Sequence, residues 1–359
     1  MGYLDNIIGR YKYIRSMREL SHTYTQQYAL VGFGNHCANN LLPVIQYVQL
    51  PLKYICCTSE KKAELISQKY KGVKGTTSLQ DILLDDTVSG VFVAANPHSH
   101  FQIATETIKA GKSLFIEKPP CENERELKSL IDTIMLYGSQ HIVVGLQRRF
   151  APATQVLKKR LKGDGKRHYH YRYLTGLYPE GDTLLDLFIH PLDYVTFLFG
   201  EAKVKGLDIT FSRDGGQTLF LVLEHQEITG MLELSTDYSW QDAQEQLSIS
   251  TDKGQYVLDR MERLDFSPRH SAIWGIPLEK VFQNNATVVS LYGRNGFVPT
   301  VGNNQIVSQG FFSEIQAFAD MVENRCEDNH AFCLESVKHV YSIMAEIKKY
   351  MNIIDDHIL

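Results

Sequence analysis

The sequence predicts an α/β chain in two parts: an amino-terminal region built on a parallel sheet, then a carboxyl-terminal α+β region with a mainly antiparallel sheet. Three observations predict it. From residue 28 to about residue 147, short apolar runs alternate with longer helix-periodic segments, the pattern of right-handed βαβ crossovers. Beyond Phe150, strand-like runs follow one another with little but turn chemistry between them. A chain of 359 residues also exceeds one ordinary core, at about 150 residues per domain.

Residues 1–27 form a leader. Leu4, Ile8, Tyr11, Ile14, Met17 and Leu20 recur at helical spacing, with Arg10, Lys12, Arg15 and Arg18 largely between them. This predicts an amphipathic helix, expected to pack on the body ahead of serving an oligomer interface or a membrane surface. Residues 28–147 make the first domain. Strands are expected at 28–32, 52–57, 90–95, 113–117 and 141–146, and helices at 39–49, 59–70, 99–111 and 122–137, with Gly111 as a helix stop. Residues 148–359 make the second. After a helix at 153–161, strands are expected at 168–174, 203–212, 218–224, 228–235, 246–251 and 255–258. Asp214-Gly215-Gly216, residues 224–227 and Asp252-Lys253-Gly254 supply the turns. A helix at 184–199 interrupts the series, and helices at 311–324 and 335–351 close it, expected to pack back on the first domain.

Composition excludes several classes. With 43% hydrophobic and 22% charged residues and a net charge of −4, the chain is an ordinary globular protein. It lacks the basic footprint of a nucleic-acid or anionic-membrane binder. The basic run at 158–167 has no interleaved aromatics and reads as a solvated helix end. The cysteines at 37, 56, 57, 121, 326 and 333 form no C-x-x-C pair and no zinc spacing, so no metal is expected. They fit a reducing compartment. No signal peptide and no run of 18 apolar residues is seen, and a cytoplasmic location is the expectation.

Four motifs carry chemistry. Gly32-Phe33-Gly34-Asn35-His36-Cys37 follows the first strand and opens the first helix, the context a dinucleotide fingerprint requires. Gly32 permits the tight turn, Gly34 lets backbone approach a pyrophosphate, and Asn35 and His36 enter the helix whose amino terminus faces that charge. Cys37 stands at the third glycine position. At the end of the second strand Thr58 occupies the place where NAD-selective sites usually carry a carboxylate. Hydroxyls of Thr58 and Ser59 with Lys61 or Lys62 suit a 2′-phosphate, so the cofactor is NAD or NADP with NADP slightly favoured; Ser59 also reads as an ordinary helix cap. Glu117-Lys118-Pro119-Pro120 ends an apolar strand at the edge where parallel sheets bind ligands, and the prolines stiffen the backbone after Lys118. Asp186 and His190 are four apart and share a face if the segment is helical, with Asp193 a turn further. His190 can exchange a proton near neutral pH, and Asp186 can orient it or bind hydroxyls. Pro191 either kinks that helix or lies near its start.

Taken together, these residues resemble the Gfo/Idh/MocA family, named for glucose-fructose oxidoreductase and inositol dehydrogenase. The resemblance runs over residues 28–351. It rests on Asn96-Pro97-His98-Ser99-His100, Ala110-Gly111-Lys112, Glu117-Lys118-Pro119, Gly145-Leu146-Gln147-Arg148-Arg149-Phe150, Asp186 with His190, and Thr251-Asp252-Lys253-Gly254. It implies a Rossmann domain followed by an α+β domain whose large, open, mainly antiparallel sheet often serves oligomerisation. It also implies an NAD(P)-dependent hydride transfer on a sugar or polyol, with Lys118, Asp186 and His190 as the catalytic group. The cofactor contacts it implies add Ala95, Asn96, Pro97, His100 and Glu117. Arg148, Tyr171 and Tyr238 are the candidates for substrate hydroxyls. The same fold also occurs in regulators that sense cofactor or sugar without turning it over; these can lack the lysine and histidine that this chain has. Cys37, Thr58 and the leader depart from the family pattern.

Overall fold

The structure is a computed structural model, and it describes residues 2–138, 141–269, 272–274, 276–277, 288–297, 300, 303–326 and 332–358. Helix α1 (Gly2–Ser21) precedes the first sheet. It forms where expected but does not pack as expected. Ile7, Ile8, Tyr11, Tyr13, Ile14 and Met17 are between 47% and 65% exposed. Tyr11 and Tyr13 lie about 200° apart around a helix, and basic residues interrupt the apolar stripe, so no single face is apolar enough to bury.

The first sheet contains β1 (Gln27–Val31), β2 (Leu52–Cys56), β3 (Lys74–Thr76), β4 (Val88–Val93), β5 (Ser113–Glu117) and β6 (Ile142–Gly145). Its order is β3-β2-β1-β4-β5-β6 and every pairing is parallel, the doubly wound arrangement of dinucleotide-binding domains. The crossovers are a π-helical turn (Cys37–Leu41) leading into α2 (Leu42–Tyr47), then α3 (Glu60–Lys69), α4 (Leu79–Leu83), α5 (Pro97–Lys109) and α6 (Glu124–Tyr137). The sequence reading missed β3 and α4, whose three and five residues are too short to show a period. It also joined the π turn and α2 into one helix.

The second sheet is entered through a 3₁₀ turn (Gln147–Phe150) and α7 (Pro152–Leu161). It contains β7 (Lys166–Leu174), β8 (Ala202–Phe211), β9 (Gln217–His225), β10 (Thr229–Ser235), β11 (Gln244–Thr251), β12 (Gly254–Asp259) and β13 (Arg263–Pro268). A π-helical turn (Leu184–Phe188) and α8 (Ile189–Phe199) lie between β7 and β8. β14 (Ala272–Ile273) and β15 (Ile276–Pro277) make a separate small hairpin, and β16 (Val289–Gly293) adds the last edge strand. The order is β16-β13-β12-β11-β7-β10-β9-β8. Among the described residues only β7 and β10 of this sheet run parallel. Helices α9 (Gln305–Ser308), α10 (Phe311–Val322) and α11 (Lys338–Ile358) follow.

Two cores hold this together. Leu219, Leu221 and Leu223 point inward from β9 while Phe220 points out, the period of two that a one-sided sheet requires. With Leu232, Leu234, Leu247 and Ile249 they join α7, α8, α11 and one face of the parallel sheet. The other face of that sheet is covered by α10. Phe318 meets Phe92 edge-on at 5.0 Å between centroids and packs with Tyr28, Phe115 and Val143, each such side chain contributing roughly 1.5–3 kcal/mol of burial. Among the described residues no helix is long and apolar enough to cross a membrane.

Candidate dinucleotide and substrate site

The glycine turn sits at the carboxyl end of β1, beside β4, where the strand order reverses. Gly32 has φ +96°, and a Cβ there would lie 2.4 Å from the Ala94 carbonyl oxygen. Only glycine closes this turn. A Cβ on Gly34 would have nothing within 4 Å, so its backbone is open to a ligand. Cys37 is buried behind the turn, and burial pushes its thiol up to about 12, leaving a small inert hydrophobe. Asn40 donates its side-chain amide to His36 Nδ1 at 3.0 Å. The His36 Nε2 lies 3.1 Å from Glu117 Oε1. The contact is electrostatic rather than a well-directed hydrogen bond, for Oε1 lacks a hydrogen-bond partner.

Beside this turn, Thr58 and Ser59 are exposed at the start of α3. The Ser59 hydroxyl accepts the Lys62 N–H at 3.4 Å and caps the helix. The ammonium that reaches the turn belongs to Lys62, which donates to the Phe33 carbonyl; Lys61 stays out in solvent. Ala95 and Asn96 leave β4, and Asn96 caps α5 by accepting the His98 N–H at 3.1 Å, with Pro97 in the first turn. His100 has a different task from the expected cofactor contact. It is buried, with Nδ1 2.7 Å from the Pro119 carbonyl oxygen and Nε2 3.1 Å from that of Ala95. It clamps two loops and has no nitrogen left for a ligand.

Lys118 leaves the end of β5 through a cis bond to Pro119. Its ammonium donates to the Asp186 backbone carbonyl at 2.6 Å. Asp186 lies in the π turn (Leu184–Phe188), and Pro191, five residues on, has no N–H to offer it. Burial lowers the Lys118 pKa, against the charges of Glu117 and Asp186 that raise it, and Arg148 adds to the lowering. His190, in the first turn of α8, is buried, and its pKa is held well below 6.5 first by desolvation and then by the charges of Arg148, Lys118 and His36. These groups therefore share one electrostatic neighbourhood.

The side chain of Asp186 does not orient His190. It accepts from the Tyr178 hydroxyl at 3.3 Å. Asp193, expected on the same face, instead takes Arg149 Nε at 2.9 Å and also its Nη2, a fully buried ion pair at the junction of the two regions. Arg148 forms a fork on Glu245, Nε at 2.6 Å and Nη2 at 3.0 Å. Tyr171, a candidate for substrate contact, is fully buried and donates to the same carboxylate at 2.6 Å, so it supports Arg148 and presents nothing to a ligand. Tyr238 is exposed, its hydroxyl accepting from Gln244 Nε2 at 3.0 Å.

Glu245, Tyr178 and Glu314 escaped the sequence reading. Glu245 sits at the start of an alternating strand and carries no motif. Glu314, in the first turn of α10, is 0% exposed with neither carboxyl oxygen hydrogen-bonded. Desolvation and the neighbouring charge of Glu117 raise its pKa well above 4.5. Among the described residues no three His, Cys, Asp or Glu side chains are grouped to hold a metal ion.

The fold order, the glycine turn at its switch point and the open Gly34 backbone define a dinucleotide-binding Rossmann protein. Residues 26–145 match the model of the Gfo/Idh/MocA oxidoreductase family with NAD-binding Rossmann fold, so that region is similar to the dinucleotide-binding domain of that family. It is 26% identical over 243 residues to YceM of Salmonella typhimurium, covering 66% of this chain and 77% of that one. It is 25% identical over 186 residues to an inositol 2-dehydrogenase/D-chiro-inositol 3-dehydrogenase of Lactiplantibacillus plantarum, covering 48% of this chain and 52% of that enzyme. The match thus spans about half of that relative's length. A dehydrogenase from Chromobacterium violaceum superposes with a TM-score of 0.76 at 16% identity, over 93% of this chain and 98% of that one. An oxidoreductase from Agrobacterium radiobacter in complex with NAD⁺, L-tartaric acid and magnesium gives 0.70 at 15% identity, over 88% and 93%. A 3-ketoreductase from Actinomadura kijaniata in complex with TDP-benzene and NADP gives 0.70 at 15%, over 90% and 97%. At these identities the solved structures speak to the fold.

Proposed function

We propose that the chain is an NAD(P)-dependent dehydrogenase or reductase acting on a hydroxyl-bearing carbon of a carbohydrate-like or polyol substrate. The observation that carries this is the Lys118 ammonium, anchored on the Asp186 carbonyl and electrostatically coupled to the buried His190, at the carboxyl edge of the parallel sheet. The residues fit a nicotinamide dinucleotide: the turn at Gly32 and the open backbone of Gly34 would take the pyrophosphate, and Glu117 and Asn96 lie at the ends of the next strands. When bound, that group supplies the hydride acceptor or donor. Burial keeps His190 neutral, so it is ready to accept the proton of a substrate hydroxyl and to return it in the reverse direction. Lys118 stabilises the negative charge that develops on that oxygen. Asp186 holds Lys118 through its backbone and offers its carboxylate to substrate hydroxyls. Arg148, locked on Glu245, supports the charge balance of the pocket.

Three finer statements belong to this reading. Absence of a carboxylate at Thr58, with Lys62 folded onto the glycine turn, favours NADP. The family relationship to an inositol dehydrogenase favours a ring polyol or sugar. The outward face of the second sheet, with Phe220 and Met231 exposed, suits an assembly of copies, which light scattering measures.

The test is a panel of polyols and sugars with NAD⁺ and NADP⁺, followed by the absorbance of the reduced nicotinamide. Turnover is expected with at least one member. Replacing Lys118 or His190 by alanine is expected to lower kcat about a hundredfold or more while cofactor affinity and folding persist. Tight cofactor binding with no turnover across the panel would overturn the enzyme reading in favour of a sensor.

A further inference from the structure

One exposed feature beside Asp186 is not used by this chemistry. Residues 175–183 leave β7 and residues 236–243 lead into β11, and the two loops are laced together. Thr175 N–H donates to the Ser235 carbonyl at 2.8 Å and Tyr238 N–H to the Thr175 carbonyl at 2.9 Å. Trp240 Nε1 donates to the Leu177 carbonyl at 2.8 Å. Gly176 lies against the indole, and a Cβ there would come within 2.5 Å of Trp240 Cδ1, so any side chain at 176 would displace the ring. Tyr178 meets Trp240 edge-on, 6.4 Å between centroids at 62°, and its hydroxyl donates to Asp186 Oδ2. The indole, the phenol, Asp186 and Lys118 thus form an unbroken series of contacts. Trp240 is nevertheless 54% exposed.

An indole whose N–H is satisfied and whose plane is fixed, yet which keeps half its surface in water, is pre-organised for stacking at little entropic cost. Cyclic polyols and pyranoses present a face of C–H groups to such a ring while their hydroxyls point to polar partners. We infer that Trp240 and Tyr178 form an aromatic wall on which the C–H face of a ring-shaped, multiply hydroxylated substrate lies, with the Asp186 carboxylate receiving a hydroxyl at its edge. This rests on the sugar or polyol reading above and names the ring as its specificity element.

The chain has two tryptophans, so Trp274→Phe leaves Trp240 as the sole indole. That variant, saturated with NAD⁺ or NADP⁺, is titrated with myo-inositol, D-glucose and the acyclic sorbitol while indole emission is followed, and kinetics are run on Trp240→Ala, Trp240→Phe and Tyr178→Phe. Expected are a saturable emission change with the ring substrates and a rise in KM of roughly three- to tenfold in Trp240→Ala. kcat should stay within about twofold, cofactor affinity should not move, and Trp240→Phe should recover most of the loss. An indole blind to a ring substrate that is turned over would overturn the wall. So would a Trp240→Ala effect confined to kcat, an equal effect on sorbitol, or a change in oligomeric size, which would make Trp240 a contact between copies. If cofactor binds and no panel member is turned over, the parent reading has failed and the wall falls with it, a result distinct from a silent indole on a working enzyme.

Discussion

Glu314→Gln should make the protein more stable, and the gain should grow with pH. Glu314 is enclosed between α10 and the end of β5, with no hydrogen-bond donor on either oxygen and Glu117 as the nearest carboxylate that raises its pKa. His36, Cys37, Lys118 and His100 face Glu117 from the surrounding elements. A folded-state pKa above the ordinary 4.5 means the native state binds this proton more tightly than the unfolded chain. The stability tied to it is complete below 4.5 and is lost as pH rises towards the folded value. Each pH unit in that window costs about 1.4 kcal/mol per proton. Between about pH 5.5 and about pH 7.5 the wild type should therefore lose stability that the glutamine variant keeps, for as long as the folded state alone holds the proton. For folding units of about 150–250 residues each kcal/mol so lost corresponds to roughly 2–4 °C in Tm. Thermal unfolding of both proteins at the two pH values, without cofactor, measures it. A glutamine variant less stable than the wild type by the same amount at both pH values would refute the reasoning, for it would show that the carboxylate is ionised and satisfied in the native state.

Three further outcomes follow from the same geometry. The rate of substrate oxidation should fall as pH drops through an apparent pKa below 6.5, since burial and the charges of Arg148, Lys118 and His36 hold His190 neutral above it; a kcat/KM profile that falls only above neutral pH would contradict this. Asp193→Asn should cost about 3–5 kcal/mol by removing the carboxylate that pairs with the buried Arg149, seen in denaturant unfolding, and Arg149→Met added to it should recover part of the loss. Lys62→Ala should weaken NADP by about tenfold and NAD by much less if its ammonium faces a 2′-phosphate, which fluorescence titration of the two reduced cofactors compares.

What was legible in the sequence was whatever is encoded locally. Buried parallel strands are continuous apolar runs, so β1, β2, β4, β5 and β6 were found, and a φ of +96° at Gly32 is the kind of constraint a glycine announces. The edge strand β3 and the helix α4 were not, because their periods are too short to register. Within the site, Lys118 and His190 could be singled out because strand ends and helix faces are themselves local features. Their partners could not. Tyr178 and Trp240 meet only because two loops of the second sheet are bonded together, and Glu314 reaches Glu117 only because α10 returns from beyond that sheet to cover the first.

Pro191 marks the boundary between the two kinds of information. From the sequence it left a kink and a helix start equally open, and both descriptions proved incomplete, because a π turn precedes it and α8 begins at Ile189. The consequence lies five residues upstream. A proline removes one donor, Asp186 sits five residues before it in the π turn, and the parallel sheet brings Lys118 to that carbonyl at 2.6 Å. Each step is ordinary covalent or hydrogen-bond chemistry, yet only the tertiary fold composes them. Sequence spacing made Asp186 a candidate for its carboxylate, whereas the structure uses its backbone carbonyl first. The side chain is left to accept from the Tyr178 hydroxyl.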